Sequence, residues 1–383
     1  MNTIKTSTKK HFPTAVFAIL GVIVLGAIGV YLATYYANLA KAGQKEKDNT
    51  AQEPIVTPVP EKKIKYVLSH KLLFLGDIMT SRTIGDKILA GADPFTYVRT
   101  EFEKYDTIIG NIETNISTPG IGTANPEKLY TFNAPVETIQ TIKNAGIDVA
   151  VLANNHTSDY GQYALLDMIN KIKESGMKTV GAGANSTEAF EPLILTVPLK
   201  PVYEDDTELS ADAKAKLTKI PNIKIALIAV NDVEAWFNKA TDVSAGSAYF
   251  DETLFANAVS KVKNEYGADL VIVIAHWGYE YKTFQDVEQV RWANIFVDGG
   301  ADLVVGGHPH VIQPYEEYNG KMIYYSLGNF VFDNMEGAED GEMLSVVVNA
   351  SQDVTAVKPT VNFGEMKLIP TRLDVDGFPV ITQ

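Results

Sequence analysis

At 383 residues, with 46% hydrophobic and 21% charged side chains, the chain is long enough for one large or two modest domains and too apolar for a disordered protein. A net charge of −14 argues against a nucleic-acid partner, which calls for a basic stripe. The absence of cysteine excludes disulfides, thiolate zinc sites and a thiolate nucleophile, so any metal must be held by His, Asn, Asp or Glu.

Lys5, Lys9 and Lys10 open the chain without an acidic residue, and residues 15–37 then carry no charge. About 20 apolar residues span a hydrocarbon core, so 15–37 reads as a transmembrane anchor, with Tyr31, Tyr35 and Tyr36 placed for an aromatic belt. The early lysines put residues 1–14 in the cytoplasm and the body outside, although Lys41, Lys45 and Lys47 weaken the asymmetry. The expected location is therefore the cell membrane, single-pass, with the bulk of the chain extracytoplasmic. A cleaved signal peptide is the competing reading, with Ala40-Lys41-Ala42 as its cleavage site. The apolar run exceeds the roughly 7–15 residues of a signal core, which favours the anchor. Residues 38–65, with Pro54, Pro58 and Pro60, read as an extended linker, and one domain is expected over 66–383.

Within that domain, strand-like and helical patterns alternate. Strands are expected at 71–75, 107–109, 148–152, 179–180, 224–230, 270–275, 303–305 and 322–325. Helical spacing covers 86–105, 136–145, 162–175, 252–266 and 287–298, which makes the fold class α/β. After Gly341 the pattern changes to strands without helices, at 344–348 and 365–373, as if a second sheet were being completed. Residues 115–133 form a Gly/Pro/Thr-rich loop, and 198–221 a charged surface excursion.

The polar residues fall at one place in this rhythm. Asp77, Glu113, Asn155 with His156, His276, and His308 with His310 all lie just past the end of an apolar strand. In α/β sheets that edge binds ligands. Four of the six histidines sit there; His11 and His70 do not. In a plain strand His308 and His310 would point to opposite faces, whereas a turn fixed by Pro309 aims both imidazoles inward. Carboxylates, an amide oxygen and neutral imidazoles together are a ligand set for Mn, Zn or Fe, with one or two divalent ions expected. Taken singly each residue has a duller role, Asp77 as a helix N-cap, for example, or Asn155 as a left-handed turn residue.

The motifs GDIMTSR (76–82), GNIET (110–114), ANNHTSDYG (153–161), HWGYEY (276–281), GGHPHVIQPYE (306–316) and SLGNFVFD (326–333) resemble those of bacterial capsule-synthesis proteins of the CapA or PgsA type. That family is associated with poly-γ-glutamate capsule production and itself resembles calcineurin-like metallophosphoesterases. The resemblance implies a four-layer α/β/β/α sandwich with a two-metal centre between the sheets. It implies that Asp77, Glu113 and His310 hold one metal, and that Glu113 bridges to a second held with Asn155, His276 and His308. It further implies His156 as general acid or charge stabiliser and Arg82 and Asn329 as holders of an anionic substrate, to which Arg291 is added from its place after the His276 strand. Two departures weaken the first metal site. The phosphoesterase Asp-x-His is Asp77-Ile78-Met79 here, and the usual bridging Asp is the longer Glu113.

The functional expectation is a membrane-anchored protein acting in the synthesis, export or surface handling of poly-γ-glutamate or a related anionic polymer. Its partners would be that polymer, the membrane and membrane subunits of a capsule synthase. Two rival readings stand beside a metal-dependent hydrolase or transferase: a non-catalytic polymer-binding or export subunit, and a generic surface metallophosphoesterase.

Overall fold

The computed structural model describes residues 28–41, 64–203, 221–333, 336–353 and 356–382. The chain separates into residues 1–62 and 63–383. In the first unit, residues 28–41 are helical. Among the described residues no helix is long and apolar enough to cross a membrane. Positions 15–27 of the expected anchor lie outside the described residues.

The second unit is a mixed α/β structure built on two large sheets. The first sheet begins with β1 (Ile64–Ile78), β2 (Thr107–Ile112), β3 (Val149–Val151) and β4 (Lys178–Val180), which run parallel to one another. The second contains β5 (Leu193–Pro198), β6 (Asn222–Asn231), β7 (Leu270–His276), β8 (Leu303–Gly307), β9 (Ile312–Tyr318) and β10 (Lys321–Leu327), in the order β9-β10-β8-β7-β6-β5. The chain then returns to the first sheet with β11 (Asn329–Val331), β12 (Asp340–Asp353), β13 (Thr360–Leu373) and β14 (Pro379–Ile381). The strands predicted after Gly341 therefore extend the first sheet: β12 pairs antiparallel with β1 from Lys65 to Phe74.

Period-two alternation distributes the strand side chains among three cores. Leu72 and Phe74 of β1 meet Leu227 of β6, Ile272 and Ile274 of β7 and Val305 of β8 between the two sheets. Leu73 and Leu75 face the other way, onto Ile84 and Ile88 of the helix Arg82–Leu89, Ile142 of Glu137–Ala145 and Leu165 of Gln162–Glu174. On the far side, Ala226 and Ile228 of β6 and Val273 of β7 pack on Phe255 of Glu252–Lys261 and Phe296 of Val287–Gly299. Both faces of the central strands are thus buried, which is why they read as unbroken apolar runs. The helix expected over 86–105 is instead two, Arg82–Leu89 and Arg99–Phe102. Pro94 lies in the turns between them, and the residue before a proline disfavours helix.

Two glycines let the sheet ends converge. A side chain on Gly76 would put its Cβ 2.2 Å from the Gly328 carbonyl oxygen, so only glycine lets Gly328–Asn329 pass beside β1. At Gly307 a Cβ would lie 2.6 Å from Asp77 Oδ1. The parallel strands of both sheets end at the same place as a result. The His308 N–H, from the second sheet, donates to Asp77 Oδ2 of the first at 3.0 Å.

Candidate metal centre

Asp77 closes β1, Glu113 follows β2, Asn155 and His156 lie in the loop after β3, His276 ends β7, and His308 and His310 follow β8. All seven are buried, with Asp77 and Glu113 at 0% exposure. Backbone strain concentrates here. Among the described residues six non-glycine residues have positive φ, including His308 at 96° and His310 at 60°. Arg82, Tyr281 and Glu234 are others, and the sixth, Asn319, belongs to a surface turn ahead of Gly320. Such conformations cost about 1–3 kcal/mol each and persist where the surroundings impose them. At the histidine pair, the positive φ on either side of Pro309 brings both rings into the site, and the Tyr281 N–H donates to the Pro309 carbonyl at 2.8 Å.

An asparagine that the sequence reading passed over braces the centre. Asn111 Nδ2 donates to Asp77 Oδ1 at 2.7 Å and lies 3.1 Å from His276 Nδ1, while Asn111 Oδ1 accepts from Asn154 Nδ2 at 3.0 Å. His276 Nε2 is 2.9 Å from Asn155 Oδ1. Asn111 sits inside GNIET, but nothing in the sequence distinguishes it from a turn residue.

Glu113 is different. Both of its carboxylate oxygens, and Nδ1 of His308, are buried with no hydrogen-bond partner. Glu113 Oε1 stands 3.6 Å from His276 Nε2 and 3.8 Å from His310 Nε2, beyond hydrogen-bond range. Two groups of potential ligand atoms share this carboxylate: Glu113 with His276 and His308, and Glu113 with Asp77 and His310, each within 4.8 Å. Burial, reinforced by the negative charges of Asp77 and Glu280, pushes the Glu113 carboxyl well above the usual range. Burial also raises Asp77, against the pull of His310. It holds His276 and His308 well below the ordinary histidine value, helped by the neighbouring imidazoles. Neutral imidazoles beside an unpartnered carboxylate match what a divalent cation demands of its ligands.

His156 occupies a separate position. Its Nδ1 is 2.7 Å from Asp159 Oδ2, and its ring stacks on Phe132 with centroids 4.0 Å apart. Asp159 also accepts the Phe132 N–H at 2.6 Å, and its other oxygen accepts from Lys128 Nζ at 2.7 Å. The Lys128 side chain is only 2% exposed and reaches Glu234 Oε2 at 2.9 Å and the Asn155 carbonyl at 2.8 Å. Asp159 was legible three residues after His156 within ANNHTSDYG. Lys128, in the 115–133 loop, carried no signal.

A cavity of about 270 Å³ opens over the histidines, lined in part by Arg82, Tyr130, His156, Glu280, Tyr281 and His310. Arg82 faces it, with its Nε 2.9 Å from Asp333 Oδ2. Asn329 does not face it. It is 1% exposed, its Oδ1 lies 3.0 Å from His310 Nδ1 and its Nδ2 donates to the Ala338 carbonyl, so it orients a histidine. Arg291 joins none of these groups. It lies on the helix Val287–Gly299, over the Trp292 ring and paired with Glu288 and Glu252. Met79, at the position of the missing histidine, is buried in the helix-side core and its sulfur accepts from the Ser81 hydroxyl at 3.0 Å.

Residues 71–334 match the family described as bacterial capsule synthesis protein PGA_cap. The chain is 32% identical over 265 residues to the PGA biosynthesis protein CapA of Bacillus subtilis, covering 68% of this chain and 62% of the relative. It is likewise 32% identical over 277 residues to the capsule biosynthesis protein CapA of Bacillus anthracis, covering 70% and 62%. The matched segment therefore spans less than two thirds of these relatives' length. Among solved structures, the calcineurin-like phosphoesterase YfkN of Bacillus subtilis aligns over 78% of this chain and 91% of its own, with 14% identity and a TM-score of 0.41. With the match running through most of the second unit, the chain belongs to the bacterial capsule synthesis protein family.

Proposed function

We propose that the chain acts in poly-γ-glutamate capsule synthesis as a metal-dependent hydrolase or transferase, working on an amide or phosphoester bond of the polymer or its precursor. The observation that carries this reading is the Glu113 carboxylate, fully buried with both oxygens unpartnered between three imidazoles. A buried charge of that kind is costly unless a cation compensates it. The donor set fits a divalent Mn, Zn or Fe ion. Glu113, Asn155, His276 and His308 would hold one ion. Asp77, Glu113 and His310 would hold a second and weaker one, because both Asp77 oxygens already accept protein hydrogen bonds. When bound, such an ion supplies Lewis acidity and lowers the pKa of water.

The chain's own residues supply the rest. Asp159 accepts a hydrogen bond from His156 Nδ1–H, which keeps that proton on Nδ1 and leaves the Nε2 lone pair to accept a proton from the nucleophile and return it to the leaving group. Phe132 covers one ring face and limits water there. Arg82 stands at the cavity wall where an anionic group would enter. We further propose that residues 15–37 anchor the chain in the cell membrane, with 38–65 as linker and the body extracytoplasmic beside membrane subunits of the synthase. The uncharged run and the lysines before it support this.

The rival non-catalytic reading has one observation in its favour: Asp77, Asn111 and His276 are tied to one another through the Asn111 amide. His156→Ala separates the two. Purified protein is assayed for metal by elemental analysis and incubated with poly-γ-glutamate and, separately, a generic phosphodiester, with and without Mn. An enzyme changes the polymer's chain length or releases product from the phosphodiester, and His156→Ala keeps the metal but loses turnover. Unchanged substrates together with His156→Ala cells that still make capsule would defeat the enzymatic reading. Protein that takes up no Mn or Zn would defeat the metal centre.

A further inference from the structure

The walls of the cavity over the histidines do not match the body of a polyanion. Glu280 and Glu336 are exposed carboxylates on the wall, which Tyr130 and Tyr281 also line. His156 is 6% exposed and lines the same space; its Nδ1 is committed to Asp159, and Nε2 has no partner among the described residues. Because Nδ1–H donates to Asp159, Nε2 carries the lone pair that the proposed chemistry uses. The wall is therefore rich in hydrogen-bond acceptors and aromatic faces, the surroundings that an ammonium group prefers. Among the described residues, Arg82 is the single cationic side chain of the lining. Asp333 engages its Nε, which leaves the terminal nitrogens for a carboxylate.

We propose that this cavity binds the amino-terminal glutamyl residue of a γ-linked polyglutamate chain. The inference rests on the polyglutamate reading above and narrows it to one end of the polymer. In a γ-linked chain every interior residue presents an amide and a free α-carboxylate. Only the first residue carries a free α-ammonium beside its free α-carboxylate. That pair matches the carboxylate acceptors of Glu280 and Glu336 on one side and the Arg82 guanidinium on the other. A volume of about 270 Å³ lies at the small end for ligand sites, enough for a terminal residue and too little for a stretch of polymer. End recognition also reconciles a chain of net charge −14 with a polyanionic ligand, because the interior residues never enter the acidic cavity.

The test is calorimetric titration of the full-length protein, in detergent and with Mn, with a γ-linked glutamate pentamer and with its N-acetylated counterpart. Acetylation is expected to weaken binding by about tenfold or more, because it removes the charge-assisted donors. Glu280→Gln combined with Glu336→Gln, both surface changes, should bring the free-amine pentamer down to the acetylated level and leave the acetylated one unchanged. Equal binding of the two pentamers overturns the inference while leaving the polyglutamate reading intact. Equal binding that strengthens with added Mg overturns it too, and assigns the acidic wall to cations bridging polymer carboxylates. If neither pentamer binds, the polyglutamate reading fails and end recognition falls with it.

Discussion

The two ends of the paired sheets differ in how far their carboxylates are satisfied. At the end where the parallel strands begin, four aspartates each precede a strand and accept a backbone N–H from its neighbour. Asp106 accepts from Lys71 at 2.8 Å, Asp148 from Ile108 at 3.0 Å, Asp269 from Lys224 at 2.8 Å and Asp302 from Val271 at 2.9 Å. Each aspartate also returns its own N–H to the carbonyl of the residue it caps. At the opposite end, the Glu113 carboxylate has no hydrogen-bond partner, His308 Nδ1 has none, and the backbone of His308 and His310 is strained. One end satisfies every such carboxylate and holds the strands in register. The other leaves donors and acceptors open, and that is what a ligand site requires.

Breaking the open end should have the larger effect. Glu113→Ala is expected to abolish metal uptake at both positions, read by elemental analysis of protein loaded with Mn. Loss of one ion with retention of the other would show that Glu113 does not bridge. His156→Ala should retain the fold and metal and slow turnover by about 10²–10⁴-fold. If it loses metal instead, the imidazole is a ligand and its pairing with Asp159 has another purpose.

The closed end should respond in stability alone. Asp302→Ala removes the bond to Val271 and the 2.7 Å contact with Lys321, at a cost of about 1–3 kcal/mol in denaturant melts. A change in metal occupancy would mean the ends are coupled. In contrast, Glu113→Gln should stabilise the chelated protein at about pH 8, by about 1–3 kcal/mol, since an unpartnered buried carboxylate becomes a neutral amide.

The smallest and most diagnostic effect is the pH profile of chelated protein. His276 and His308 are held well below the ordinary histidine value of about 6.5, so on acidification the unfolded chain takes up protons that the folded one refuses. Their contribution is present above about pH 6.5 and is lost as pH falls from there through their lowered folded-state values. Glu113 acts in the opposite sense. Its folded-state pKa is raised well above 4.5, so its contribution is present at low pH and lost as pH rises through the raised value. Melting temperatures between about pH 8 and 5 should therefore flatten when His276 and His308 are both changed to Asn, and fall more steeply on acidification in Glu113→Gln.

The order of strands and the converging polar residues were legible because each depends on local pattern: an apolar run, then a glycine or turn, then a ligand-type side chain. The alternation of Leu72 and Phe74 against Leu73 and Leu75 shows why the strands read as continuous apolar stretches, and it hid which sheet face each residue served. The aspartate pattern at the closed end, Asp106-Thr107, Asp148-Val149, Asp269-Leu270 and Asp302-Leu303, was present in the sequence and went unread, because a single Asp before a strand passes for a turn residue. Asn329 shows the converse limit. Its motif placed it at the site, but only the pairing of Asp77 with Asn329 in the sheet shows that it braces His310 from behind. Lys128 and Glu234 could not be found from sequence at all, since their proximity depends on two loops more than a hundred residues apart.

That lysine has a kinetic consequence. Its ammonium lies beneath the 115–133 loop and holds the Asn155 carbonyl and Asp159 on a second loop and Glu234 on a third, with the Phe237 ring 4.6 Å away. A loop that swung out alone would leave a desolvated charge without its counter-charge, a penalty of several kcal/mol. The three segments therefore breathe as one body or stay shut. Hydrogen exchange around residues 128, 155 and 234 should then report a single opening event with one rate.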